Sequence, residues 1–264
     1  MLRNQDDVIS RDLLKGIQAS HLWGMLGWDD IRQRYRRSVI GPFWITLSMG
    51  LFILLLGIIY ARLFNMDIAT YLPFLSVGFI VWGFISSTTT ESCLAFHEGE
   101  RIIKQIKLPY TIYVMRVVWR NFIVFLHTIV ILIPVAIIFS VKPGLVSLLA
   151  LPGLVLILIN QIWLTFVLAI LGTRYRDIIP IVATAVQIMM FATPIMWPVS
   201  ALGEAAVIAD INPLYHLIEL VRAPMLGKSP QVLSWLVSIA MAIAGSMLAI
   251  ALLARASRRL VFWI

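Results

Sequence analysis

The residues of this chain that could do chemistry are few and set apart. His97-Glu98-Gly99-Glu100 imitates the start of a zinc signature, but no second histidine follows one helical turn on, so two imidazoles cannot share a face. His21, His97, His127 and His216 are scattered, and no two form an acid–base couple. Asp29-Asp30 is an adjacent acidic pair with nothing beside it to make one carboxyl an acid and the other a base. The phosphate-loop, HExxH, GxSxG and CxxC patterns are absent, and a lone Cys93 cannot close a disulfide within the chain. Neither a catalytic constellation nor a metal site is expected.

What remains is ion pairing and anion recognition. Arg116 and Arg120 are four apart, so they share one helix face. With Glu91 they form an ion-paired cluster, or alternatively they line an entrance for an anionic substrate. Arg32, Arg34, Arg36 and Arg37 crowd ahead of the first apolar run. Their guanidinium forks suit phosphate oxygens, although anchoring at the inner face of a membrane explains the same placement. His127 falls mid-span, where it either hydrogen-bonds a neighbouring helix or belongs to a transport path.

The elements that must carry these residues are hydrophobic ones. Of the 264 residues 61% are apolar or aromatic and only 13% are charged, which excludes a water-soluble enzyme and a disordered chain. The net charge of +8 is dispersed between apolar runs instead of forming a basic face for nucleic acid. Six runs are long enough to cross a bilayer as helices: 39–63, 72–95, 111–139, 145–171, 178–197 and 232–254. Seventeen of the 21 Lys and Arg fall on one side of this topology, leaving Arg62, Lys142, Arg222 and Lys228 on the other. Both termini are therefore expected in the cytoplasm.

The first 38 residues lack a signal-peptide core and read as an amphipathic, interfacial helix interrupted by Gly16, Gly24 and Gly27. The long connection between spans five and six predicts two short external helices, re-entrant or interfacial, over about 201–226. Asn212-Pro213 starts the second of them, and Pro194 and Pro198 turn the fifth span back. The expected fold is all-α and polytopic: an amphipathic segment, 1–38, ahead of a six-span domain, 39–264. Intramembrane charge is otherwise scarce and no inverted repeat is visible, so an ion-coupled secondary transporter is disfavoured.

Five stretches together produce a family resemblance. They are the run from Arg34 to Trp44 leading into span one, RIIKQIKLP at 101–109, Arg176-Asp177-Ile178, Thr193-Pro194-Ile195, and Asn212-Pro213-Leu214 with Arg222. The chain resembles, over nearly its whole length, ABC-2 type permeases that export lipid-linked polysaccharide, and is closest to O-antigen and capsule exporters. Thr193 stands where a smaller, serine-like residue is usual.

The resemblance implies a half-channel that dimerises in the bacterial inner membrane and binds two copies of a separate ATPase. ATP and Mg would sit in that partner, with no cofactor in this chain. It implies a coupling segment at about 97–108, with Glu98, Glu100, Arg101 and Lys104 for polar contacts and Ile102 and Ile103 as an apolar anchor. It makes the N-terminal segment a gate near the lipid portal, with Arg32, Arg34, Arg36 and Arg37 toward the cargo's pyrophosphate. It also makes the helices bearing Asn212, Pro213 and Arg222 an external gate. Aromatic rings offer weak, repeated contacts to sugars, so Phe52 and Tyr60 are candidates for lining the channel. The expected cargo is undecaprenyl-pyrophosphate-linked polysaccharide, O-antigen first. An ABC-2 permease for a small molecule such as a drug or haem, and more remotely a membrane glycolipid enzyme, are the alternatives.

Overall fold

A computed structural model describes residues 3–36, 41, 43–141 and 144–264. All regular structure in them is helical. The helices are α1 (Arg3–Gln18), α2 (Ser20–Tyr35), α3 (Phe43–Leu63), α4 (Ile68–Ser92), α5 (Ala95–Glu98), α6 (Glu100–Gln105) and α7 (Tyr110–Thr128). After α7 come α8 (Leu132–Ile138), α9 (Ala150–Arg174), α10 (Ile178–Ala192), α11 (Val207–Ile211), α12 (Pro213–Met225), α13 (Val232–Ala256) and α14 (Leu260–Trp263). Short 3-10 turns at Ile129–Ile131, Leu145–Leu149 and Val199–Ala206 join some of them.

Five stretches are long and apolar enough to cross a membrane: Phe43–Leu63, Ile68–Ser92, Tyr110–Ile138, Leu145–Arg174 and Val232–Ala256. The fifth expected span, 178–197, is shorter than composition suggests, because α10 stops at Ala192. A residue before proline is driven out of the helical region, and Thr193, ahead of Pro194, is extended at φ −95 and ψ 138. Fifteen residues rise only about 22 Å, less than the roughly 30 Å of hydrocarbon. A similar cause breaks the third span. Pro134 has no N–H for the carbonyl of Val130, and the chain tightens there into the turn between α7 and α8.

Helix α4 is central, packed against α3, α7, α9, α10 and α12. Its small and hydroxylated residues let neighbours approach closely without leaving unsatisfied polar atoms. Ser76 donates to Leu72 O (2.7 Å), Thr88 to Phe84 O (2.7 Å) and Ser92 to Thr165 Oγ1 on α9 (2.8 Å). Asp67 caps the helix start by accepting from Ala69 N at 3.2 Å, which places the beginning of this span four residues earlier than its hydropathy suggests.

The N-terminal segment is two helices docked on the bundle, where one interfacial helix is expected. Its glycines are contact points instead of interruptions. A Cβ on Gly16 would lie 2.3 Å from the Thr111 side chain, and one on Gly27 would lie 3.0 Å from the Trp119 ring. Asp12 of α1 fixes the arrangement by accepting from Tyr110 N (2.8 Å), Thr111 N (3.2 Å) and Thr111 Oγ1 (2.8 Å), so it caps α7 from a distant part of the chain.

Helix α9 meets the backbone just past the end of α4 at Gly172, where a Cβ would stand 2.4 Å from Cys93 O. Gly172→Val should therefore force the helices apart at a cost of about 1–3 kcal/mol. Gly144→Ala, with no atom within 4 Å of the new methyl, should be neutral. Thermal unfolding of the two purified variants in one detergent checks the difference.

Candidate functional site

At the end of the bundle where α1, α2, α5 and α6 gather, a charged cluster joins four helices. Helix α7 supplies Arg116, Arg120 and Asn121, the last turn of α4 supplies Glu91, α5 supplies Glu98, and α2 supplies Asp30 and Arg34. Arg120 is its centre, with a side chain only 4% exposed. Its Nη1 donates to Asp30 Oδ2 and Glu98 Oε2, both at 2.9 Å, while Nε and Nη2 donate to Glu91 Oε2 at 3.1 and 2.8 Å. Arg116 grips Asp30 with a fork, Nε at 2.7 Å and Nη2 at 2.5 Å. Glu91 also accepts from Arg34 Nη2 (2.9 Å) and Asn121 Nδ2 (2.7 Å).

Three guanidinium groups thus face three carboxylates. Arginine suits the centre because its planar fork reaches several acceptors at once, where an ammonium is a single point of charge. No carboxyl here is held beside a group poised to take or give a proton. What the cluster can do is fasten helices that belong to different parts of the chain, and shift if one of them moves. The expected pairing of Arg116 and Arg120 with carboxylates is present, and it is larger than expected. Asp30, which suggests no role in sequence, bridges both arginines.

The 97–108 segment divides its residues by direction. Glu98 turns its carboxylate toward Arg120 and is one-third exposed, while Arg101 is exposed. Glu100 pairs with Lys104 at 2.6 Å one turn on, and the hydrogen bond from Lys104 holds its carboxyl below the usual carboxylate range. Ile102 and Ile103 are half-buried against the bundle's own apolar cluster. Ile106, more exposed than either, is the apolar side chain that sequence reasoning passes over. Arg32 and Arg36 are exposed, Arg34 is held by Glu91, and Arg37 lies outside the described residues, as does most of the lead-in to α3.

Phe52 is exposed and stands edge-on to Phe79 at 5.3 Å between ring centres; Tyr60 is half-buried and stacks on Phe64 at 5.8 Å. His127 bonds within its own helix, Nδ1 lying 2.8 Å from Ile123 O, where a neighbouring helix is the expected partner. Thr46 of α3 reaches only the backbone carbonyl of His127.

The opposite end brings together two of the five stretches that stand apart in sequence. Asn212 accepts from Leu214 N (2.9 Å) and Tyr215 N (3.3 Å), capping α12 just ahead of Pro213 at the first helical position. The same amide donates to Thr193 Oγ1 (3.0 Å) and Ala192 O (3.2 Å), tying α12 to the end of α10. Arg222 is 1% exposed. It donates to Pro194 O and Glu219 Oε1, both at 2.7 Å, and its guanidinium lies 4.1 Å over the Phe74 ring. The Tyr71 hydroxyl donates to Met196 O. Helix α12 sits buried among α4, α9 and α13, the packing of the re-entrant alternative and not of an interfacial helix.

Comparison with known proteins gives this architecture a family. Two proteins of Klebsiella pneumoniae named O-antigen export system permease protein RfbA are 28% and 27% identical over 194 residues, covering 72% of this chain and 74% of theirs. A protein of the same name from Myxococcus xanthus is 23% identical over 193 residues, with the same shares. The family model described as ABC-2 type transporter matches residues 21–226, from α2 through α12 and including both clusters. This is a multi-pass membrane protein, a transporter's membrane subunit and not an enzyme, and the chain belongs to the ABC-2 type transporter family.

Proposed function

We propose that this chain is the permease of an ATP-driven exporter that carries undecaprenyl-pyrophosphate-linked polysaccharide, O-antigen in the first instance, from the cytoplasm to the outer face of the bacterial inner membrane. Similarity to permeases named for O-antigen export supports the cargo class. The observation that carries the mechanism is Arg120, a single guanidinium hydrogen-bonded to Glu98 of the coupling segment and to Asp30 of α2.

In this reading the chain has six membrane-crossing segments, the short α10 among them, with both termini cytoplasmic. Two copies form the pore and two copies of a cytoplasmic ATPase bind below it, holding ATP and Mg themselves. Glu100, Arg101, Ile102, Ile103 and Lys104 meet the ATPase. Closure of the ATPase pair moves α5 and α6, Glu98 draws on Arg120, and Asp30 and Arg34 pass the displacement to α2. That helix gates the lipid portal, where Arg32, Arg36 and Arg37, with Arg34 when Glu91 releases it, meet the pyrophosphate. Phe52 and Tyr60 line the path, and Asn212, Pro213 and Arg222 hold the external gate.

Depletion of the protein in its host tests this. Lipid-linked polysaccharide should accumulate on the cytoplasmic face and vanish from the surface, and re-expression should reverse both. An unchanged distribution would remove the polysaccharide reading and leave export of a small molecule by the same architecture.

A further inference from the structure

Apart from the Arg120 cluster, the same end of the bundle holds a cavity of about 670 Å³ between α1, the second half of α6 with the segment following it, and the end of α13 with the residues after it. Five cations from these three places line it: Arg11, Lys15, Lys104, Lys107 and Arg258. The acid that lines it, Asp12, is already committed to capping α7, and Lys104 is paired with Glu100. Among the described residues, no ion pair engages Arg11, Lys15, Lys107 or Arg258. A concentration of like charge at a membrane boundary repels itself unless an anion is present.

A second, apolar hollow of about 180 Å³ adjoins the first. It runs between α9 and α13, walled by Trp163, Phe166 and Ile250 and closed by Leu13 of α1. Leu253 lines both hollows, and the consecutive residues Asp12 and Leu13 line one each. Leu253 lies in the last turn of α13, so the cationic cavity is at the end of a membrane-spanning helix while the apolar groove reaches back along that helix toward the hydrocarbon. An acidic protein segment would fill the first hollow and leave the second open. A molecule with an anionic head and a hydrocarbon tail fits both.

We propose that this paired site binds an anionic glycerophospholipid of the bilayer, headgroup phosphate among Arg11, Lys15, Lys107 and Arg258 and one acyl chain in the groove beside Trp163 and Ile250. Helix α1 and the end of α13 lie outside the residues matched by the family model. The proposal requires only that the chain spans a membrane and is independent of the cargo. The bound lipid joins α1, α6 with the segment after it, and the end of α13, and so braces the α5–α6 region.

The test is thermal unfolding of the full-length protein in a neutral detergent, with phosphatidylglycerol, phosphatidylcholine or inorganic pyrophosphate added. Phosphatidylglycerol should stabilise the protein at a concentration about tenfold lower than phosphatidylcholine, consistent with the attraction of each surface Lys or Arg to anionic lipid. The variant Arg11→Gln/Lys15→Gln/Arg258→Gln should lose that preference. Arg255→Gln/Arg259→Gln, which removes exposed neighbours that do not line the cavity, should keep it. Ile250→Trp, which fills the groove from a lipid-accessible position, should abolish the stabilisation while leaving the fold monodisperse. Equal effects of the two lipids, an effect of pyrophosphate as large as that of phosphatidylglycerol, or an unchanged preference in the triple variant would overturn the proposal. If the triple variant keeps the lipid preference but no longer co-purifies with an ATPase subunit, the cavity is a protein contact instead.

Discussion

Arg120→Met should cost about 3–5 kcal/mol of folding stability and abolish export, the largest single effect expected at the proximal end of the bundle. The reason is asymmetric. Arg120 is nearly inaccessible to water, and removing it leaves Asp30, Glu91 and Glu98 as mutually repelling carboxylates around an apolar side chain. Arg116 can retain Asp30 and Arg34 can retain Glu91, but among the described residues no other cation pairs with Glu98. Arg120→Lys should recover only part of the loss, since one ammonium cannot reach the acceptors on three helices together. A stability defect alone would not separate fastening from transmission. Glu98→Gln does, because that side chain is the most exposed of the three and makes one hydrogen bond to the cluster. It should unfold within a few degrees of the parent and yet lose most export, measured as polysaccharide reaching the cell surface. Full export by Glu98→Gln would reduce the cluster to a structural fastening.

What the sequence discloses of this site follows from how local its signals are. A spanning helix satisfies its backbone within itself, so a long apolar run suffices to reveal it, and five of six expected runs correspond to helices of spanning length. The sixth shows where composition misleads: Met196 and Trp197 are apolar, but Pro194 ends the helix before them. Glu91 and Arg120 are foreseeable partners because they lie near the same end of antiparallel neighbours. Asp30 is not, since 86 residues separate it from Arg116 and nothing in Asp29-Asp30 points across that distance. The same holds for Asp12, whose capping of α7 depends on α1 folding back. Glycines in a polar N-terminal segment suggest breaks, and only packing shows that Gly16 and Gly27 are where that segment touches α7.

Arg222→Met should be as damaging at the distal end, lowering stability by about 3–5 kcal/mol, because it strands Glu219 in a largely buried position and leaves Pro194 O without its donor. The buried guanidinium holds α12 to the break after α10, and it rests on the Phe74 face as well. Removing both charges tests what the pair is for. Replacing a buried ion pair by apolar groups of similar size is often close to neutral, so Arg222→Met/Glu219→Leu should recover much of the stability that Arg222→Met loses. Denaturation of the two single variants and the double variant in one detergent gives the coupling directly. If the double variant is stable and exports normally, α12 needs only to be packed in place. If it is stable and export stays blocked, the pair is required in motion, and the knot of Thr193, Pro194, Asn212 and Arg222 is the hinge on which the external gate turns. A double variant no more stable than Arg222→Met would instead show that the cation's contacts with Pro194 O and Phe74, and not its pairing with Glu219, hold this end together.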